Sequence, residues 1–337
     1  MGKLGFGVIG TGFIAGKIAS AIQASDQARV AAVSSRRLET AEAFAVEYEG
    51  ADPVEGVDAL VARDDIDAIF VATPTVVKEE IALKAVERGK HILVDKPFVD
   101  TASVERMAAA TARNNLVFMD GTHFVHHPRT EKLGKSLPDQ IGQPLSLYSA
   151  FYFPFEERDN IRFDPTQEPT GALGDLAWYC MRAVVEYLRP QGALKTVAAA
   201  GERDPNTGSL IHVTGVLSFA GGETSTFDAG YTVGTPIMDL SLLGTKGAMV
   251  MDDFVLDWTN SIAFQDPDLK TGYSYRAGLA TRKDLAFVET PSAASQQTLM
   301  IDRFAHLVQD GGHEGRAAYV EASLQTQRLL DAIWETL

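Results

Sequence analysis

The chain has 337 residues, 45% of them hydrophobic and 22% charged, which is enough to bury a full core and long enough for two domains. Its formal charge of −15 excludes a global basic field, so no nucleic-acid partner is expected and any anion must meet a local patch. A single cysteine, Cys180, excludes an intrachain disulfide and a multi-cysteine metal site, and suits the reducing cytoplasm in which the chain is expected.

In "MGKLGFGVIG" the apolar run is too short for a signal peptide or membrane span, and no membrane partner is expected. From Lys3 to about Asp120, short β-rich runs alternate with helical patterns. "LGFGVI", "RVAAVS", "DAIFVAT", "HILVDK" and "LVFMDG" read as strands buried on both faces, as in a parallel sheet covered on each side. The segments between them carry apolar residues at three-and-four spacing, and Gly89 and Asn114 or Asn115 stand where a helix ends in a left-handed residue. The fold class is therefore α/β, opening with a doubly wound Rossmann sheet over residues 1–122.

Gly10, Gly12 and Ala15 form G-x-G-x-x-A between the first strand and the first helix, which Phe13 and Ile14 begin. Gly10 permits the tight turn, Gly12 lets backbone approach a pyrophosphate, and Ala15 allows close helix-to-strand packing, with the helix N-terminus facing the phosphates. About 25 residues on, where a carboxylate would bind the ribose hydroxyls of NAD, the chain reads Ser35-Arg36-Arg37. A hydroxyl and two guanidinium groups can bond a 2′-phosphate that a carboxylate would repel, so NADP is the expected cofactor and NAD the less favoured one. The alternative is a solvated basic turn.

Past residue 140 the texture changes. "LSLYSAFYFPF", "KTVAAAGER", "LIHVTGVLSFAG", "ETSTFDAGYTV", "MDLSLLGT" and "GAMVMDDF" are strand-like runs broken by Gly, Asn and Pro, with one helix, "ALGDLAWYCMRAVVEYL", before most of them. Turns are read at "NTG" and "AGGET", and two helices close the chain. Residues 123–337 thus read as an α+β domain with a large, mostly antiparallel, open-faced sheet, whose C-terminal helix can pack back on the Rossmann domain.

Lys96 falls at the carboxyl end of a parallel strand, the edge where open α/β sheets bind ligands, and its ammonium can stabilise charge on a substrate oxygen. Taken alone, a lysine there reads as a snorkelling surface residue. Asp175 and Tyr179, four apart on a helix, project from one face and can share a pocket; Tyr179 can exchange a hydroxyl proton while Asp175 orients substrate or Lys96, the alternative being a core aromatic and a polar residue on an amphipathic helix. His123 follows a strand end and is expected in the substrate pocket. Arg162 can meet substrate or cofactor, or anchor its loop. No metal is expected: hydride transfer needs none, and the adjacent His126 and His127 do not share a face.

With "GKHILVDKPF" the chain resembles the glucose-fructose oxidoreductase, inositol dehydrogenase and rhizopine-catabolism (Gfo/Idh/MocA) family over nearly its whole length. "VATPT" resembles the family's cofactor-contacting turn, with Thr73 and Pro74 in it. "DKP", Asp95 to Pro97, resembles its Glu-Lys-Pro signature, and the resemblance implies a cis peptide before Pro97 and Lys96 beside the cofactor. "IRFDPTQEPTGALGDLAWYCMR" resembles the segment that brings an acid and a Tyr or His to the nicotinamide, and "LLGTKGAM" a motif of the C-terminal sheet. Ser35-Arg36 and Tyr179 are most similar to the branch of NADP-dependent dihydrodiol and xylose dehydrogenases and glucose-fructose oxidoreductase.

The resemblance implies an NADP-dependent oxidoreductase moving hydride between nicotinamide C4 and the carbinol or carbonyl carbon of a small polyhydroxylated substrate: a sugar, sugar derivative or diol. It also implies homodimers or homotetramers packed through the open sheet face. Two departures stand out: Lys78 replaces a family His and is given no cofactor role, and Thr170-Gly171-Ala172 replaces a triple glycine. A non-catalytic NADP-binding sensor and an NAD-assisted glycosidase are the rival readings; Lys96 with Tyr179 argues against the first, Arg36 with Arg37 against the second.

Overall fold

A computed structural model describes residues 2–155, 157–260, 266, 268–310 and 313–337. The end of the helix read as far as Gly311 lies outside the described residues. The chain divides into two compact units, Met1–His123 with Ala294–Leu324, and Phe124–Ala293 with Gln325–Leu337.

The first unit runs β1 (Leu4–Ile9), α1 (Phe13–Ala24), β2 (Ala28–Ser35), α2 (Leu38–Ala45), β3 (Asp52–Glu55), α3 (Val57–Val61), β4 (Ala68–Val71), α4 (Thr75–Glu87), β5 (His91–Val94), α5 (Thr101–Arg113) and β6 (Phe118–Asp120). Its strands form a parallel sheet in the order β3-β2-β1-β4-β5-β6, and the direction of winding reverses between β1 and β4. Every position of β1 and β4 is buried, as continuous apolar runs between two helical layers require. The helix ends follow local chemistry: Asp100 accepts the Ser103 N–H at 2.7 Å to start α5, and Gly89 and Asn115 take positive φ after α4 and α5.

Two features of this unit go beyond the sequence reading. β3, "DPVE", has no apolar pattern of its own and exists by pairing with Ala32–Ser35 at the sheet edge. A late helix, α8 (Gln296–Asp310), belongs here too: Met300, Ile301 and Phe304 enter the core formed by Phe6, Leu93, Val117 and Met119, with the Phe304 and Phe6 rings 5.5 Å apart.

The second unit opens with α6 (Pro128–Gln140), which the sequence reading missed because Gly134, Pro138 and five charged residues mask its two buried leucines. Pro128 sits at the first turn, where a missing N–H costs nothing, and the His127 Nδ1 caps it by accepting the Arg129 N–H. Arg129 is buried and donates to the carbonyls of Asp253 and Phe254 at 2.7 and 2.9 Å.

The sheet of this unit comprises β7 (Pro144–Tyr152), β8 (Leu194–Arg203), β9 (Leu210–Phe219), β10 (Thr224–Gly230), β11 (Leu240–Gly244), β12 (Gly247–Met251), β13 (Gly272–Ala277) and β14 (Ala286–Glu289). It is ordered β14-β13-β12-β11-β7-β10-β9-β8 and is antiparallel except at β7–β10. The short outer strands β13 and β14 were not expected from the sequence.

One sheet face carries a helical stretch, Leu173–Leu188, in which π-helical turns at Leu173–Ala177 and Val184–Leu188 flank α7 (Trp178–Ala183). It was expected as a single α-helix. Gly171 (φ +48°) leads into it so closely that a Cβ would stand 2.3 Å from the Leu210 carbonyl oxygen, so only glycine fits. Register puts Val216, Thr226, Tyr148 and Ser241 in one row on the other face. That face is open: Tyr148, Val216, Leu243 and Phe287 are all exposed on it.

Candidate functional site

In the first unit, the expected cofactor residues lie at the carboxyl ends of the parallel strands, because each ends a strand, follows one or opens the helix after it. Gly10 takes φ +112° and lies against Ala72, where a Cβ would come within 2.5 Å of the carbonyl oxygen. Gly12 is the opposite case: a Cβ there would meet nothing within 4 Å, leaving an open cradle at the head of α1. Among the described residues no side-chain cap bond is made at its N-cap, Gly12, and no acid stands in its first turn, which leaves its N–H groups and dipole available to an anion. Phe13 is 66% exposed beside the cradle, and Ile14 is half-buried. At the end of β2, Ser35 is half-buried and Arg36 and Arg37 are exposed.

Thr73 and Pro74 follow β4, and Lys96 and Pro97 follow β5. The Lys96–Pro97 peptide is cis, as the family resemblance implies. Lys96 and Pro97 are buried, and what holds them is Lys78, a residue given no role on sequence grounds. The residue is 3% exposed, and its ammonium donates to the Lys96 and Pro97 carbonyl oxygens at 2.9 and 3.1 Å and to Thr75 Oγ1 at 3.3 Å. Thus one side chain from α4 ties the turn after β4 to the turn after β5. The T-P-T-x-x-K spacing brings Lys78 one helical turn inside α4, but nothing in that spacing reveals carbonyl acceptors 18 and 19 residues away.

His123, just beyond β6, is buried, and its Nδ1 is bonded to the Gln296 amide nitrogen at 2.8 Å. With Gln296 Nε2 donating, the ring carries its proton on Nε2. Gln296 comes from 173 residues away and is invisible to motif reading.

The second unit holds Arg162, Asp175 and Tyr179. Arg162 Nε donates to Asp175 Oδ2 at 2.5 Å, and the Tyr231 hydroxyl donates to the same oxygen at 3.3 Å. The Arg162 guanidinium also lies over the Phe155 ring, 4.5 Å from its centroid. Partial burial opposes its charge, but Asp175 holds the Arg162 pKa above the ordinary arginine range. Burial, and then the Asp175 charge, push the Tyr231 hydroxyl well above 10, so it stays a donor. The ion pair with Asp175 ties Arg162 to the helical stretch that follows its loop.

Asp175 lies in the first π turn and Tyr179 in α7. With i→i+5 bonding, the fourth residue falls just short of a full turn instead of just past it, so the two still share a side of the helix. Tyr179 is 7% exposed, its ring packed edge-on to Phe151 at 5.3 Å and tilted on Phe124 at 6.2 Å. The remaining histidine pair is differently engaged: His127 Nε2 lies 3.3 Å from Asp257 Oδ2, and burial lowers its pKa despite that carboxylate.

Residues 4–122 match an oxidoreductase family with an NAD-binding Rossmann fold, and residues 138–250 match the GFO/IDH/MocA C-terminal domain. Two relatives named dTDP-3,4-didehydro-2,6-dideoxy-alpha-D-glucose 3-reductase are 35% identical over 54% of this chain and 55% of theirs (Actinomadura kijaniata) and 33% identical over 74% and 76% (Streptomyces antibioticus). A D-xylose 1-dehydrogenase (NADP(+)) of Haloferax volcanii is 26% identical over 98% of this chain and 96% of its own. A crystal structure of a 3-ketoreductase from Actinomadura kijaniata with NADP and TDP-benzene superimposes with a TM-score of 0.88 at 27% identity, covering 99% of this chain and 98% of that one. Both halves of the fold and the order of its motifs therefore point one way: the chain belongs to the GFO/IDH/MocA family of oxidoreductases.

Proposed function

We propose that the chain is an NADP-dependent oxidoreductase acting on a carbinol or carbonyl carbon of a sugar, sugar derivative or diol. The observation that carries the reading is the edge of the first sheet: an uncapped helix N-terminus over an open glycine cradle, with Ser35, Arg36 and Arg37 where a carboxylate would select against a 2′-phosphate. The NADP named for the xylose dehydrogenase and bound by the 3-ketoreductase supports it. Bound, the cofactor supplies or accepts hydride at nicotinamide C4.

The chain's own residues do the rest. Lys96, fixed by Lys78, places its ammonium to hold the substrate oxygen as charge develops there. Tyr179 exchanges the hydroxyl proton. Asp175, ion-paired with Arg162 and hydrogen-bonded by Tyr231, fixes the wall of the substrate pocket rather than acting as a free base. His123, held through Nδ1 by Gln296, lines the substrate pocket. The nucleotide-linked deoxy sugars named for the 3-reductases make keto sugars the first substrates to test, with aldoses, inositols and vicinal diols beside them. Copies of the chain associate through the open sheet face.

Titration with NADPH and NADH, followed by a turnover screen on that panel, tests the reading. Replacing Arg36 and Arg37 by Ala is expected to weaken NADPH by about 100-fold and NADH by less than 3-fold, at one to two charge-assisted bonds lost. Equal losses overturn the 2′-phosphate assignment, and tight NADPH binding with no turnover on any substrate favours the sensor.

A further inference from the structure

Gln297, the second residue of α8, is 1% exposed, and among the described residues neither its Nε2 nor its Oε1 has a hydrogen-bond partner. A buried primary amide with both ends unmet is rare in folded proteins and costs the free protein stability, so it calls for a ligand or another specific cause. The surrounding turn is not loosely built. Ser295 Oγ accepts the Thr298 N–H at 3.0 Å and meets Thr298 Oγ1 at 2.9 Å, and the Gln296 amide bonds His123. A second polar atom of the same unit, Thr73 Oγ1 after β4, is likewise buried without a partner.

The fold says which ligand group reaches that turn. Gln296 is tied to His123, so the first turn of α8 stands at the carboxyl end of β6, on the β4–β5–β6 side of the sheet. Arg36 and Arg37 stand at the end of β2, on the other side of β1. A dinucleotide with its 2′-phosphate over β2 and its pyrophosphate at α1 must carry its second nucleoside over β4 to β6. That nucleoside is the nicotinamide riboside, whose exocyclic group is itself a primary carboxamide.

We propose that Gln297 pairs reciprocally with this carboxamide, Nε2 donating to its oxygen and Oε1 accepting from its amino group. The assignment rests on the NADP reading above. It makes Gln297 a cofactor-binding residue that fixes the rotation of the nicotinamide ring, and hence which face of C4 is presented to substrate.

Binding of NADPH, of its 3-acetylpyridine analogue, in which a methyl replaces the carboxamide amino group, and of 2′,5′-ADP is measured by calorimetry on wild type and Gln297→Leu. Wild type is expected to prefer NADPH to the analogue by about 10-fold, one hydrogen bond's worth. Gln297→Leu is expected to lose about 10-fold or more for NADPH, to bind the two dinucleotides alike, and to bind 2′,5′-ADP as wild type does. Its melting temperature without cofactor should match or exceed wild type, because no bond is lost and an orphaned amide is removed. A lower melting temperature, or weaker 2′,5′-ADP binding, makes Gln297 structural and overturns the proposal. So does unchanged discrimination between the dinucleotides. If wild type binds 2′,5′-ADP but neither dinucleotide, the NADP reading itself falls and takes this assignment with it.

Discussion

Lys78 shows how a single buried charge can be a geometric device rather than a chemical one. Its ammonium has left water for carbonyl and hydroxyl oxygens, and that exchange is tolerable only because three acceptors converge on it. What it gains is a fixed backbone at Lys96, on which the proposed contact of the Lys96 side chain with a substrate oxygen depends. Lys78→Met keeps the stem and deletes the donors. It is expected to lower kcat by about 10-fold or more, as a misplaced reacting group does, while leaving the NADPH dissociation constant within about 3-fold of wild type. Steady-state kinetics with cofactor titration check it; a variant that loses cofactor affinity and keeps kcat contradicts it.

Among the elements, β5 carries a titration built into the first unit. His91 at its start accepts the Val117 N–H at 2.9 Å, and burial, with the Arg316 charge nearby, lowers its pKa from 6.5 to about 4. Between those values the unfolded chain takes up a proton that the folded chain refuses. Stability from this group is therefore complete above pH 6.5, falls as pH drops through the window, and is lost by about pH 4, amounting to at most about 3 kcal/mol. Urea unfolding at pH 7.5 and 5.0 should show a smaller acid loss for His91→Gln than for wild type; equal losses would place the sensitivity elsewhere. The elements also show what a sequence can disclose. β1, β2, β4, β5 and β6 are legible because burial on both faces leaves apolar runs with no interruption. β3 and α6 are not, since one is an edge strand of "DPVE" and the other is held by Arg129 reaching carbonyls 124 and 125 residues away. The same limit applies to the site: the glycine turn and Ser35-Arg36-Arg37 are contiguous and readable, whereas Arg162–Asp175, Lys78–Lys96 and Gln296–His123 are set by tertiary packing alone.

At the scale of the whole molecule, the net charge of −15 sits beside an open sheet face whose central row, Val216, Thr226, Tyr148 and Ser241, carries no charge. Tyr148, Val216, Leu243 and Phe287 are each at least 40% exposed there, a spread of apolar surface that a solitary protein seldom leaves to water. Leu243→Lys with Tyr148→Arg is expected to shift the chain from a dimer or larger assembly to a monomer in sedimentation velocity, with the far-ultraviolet spectrum unchanged; a wild type that is already monomeric refutes association through this face. The chain also leaves the first unit after His123 and returns to it only at Ala294. During synthesis, therefore, the surface formed by Leu93, Val117 and Met119 must wait for Met300, Ile301 and Phe304, and the dinucleotide-binding half cannot close its own interior until the intervening 170 residues have left the ribosome.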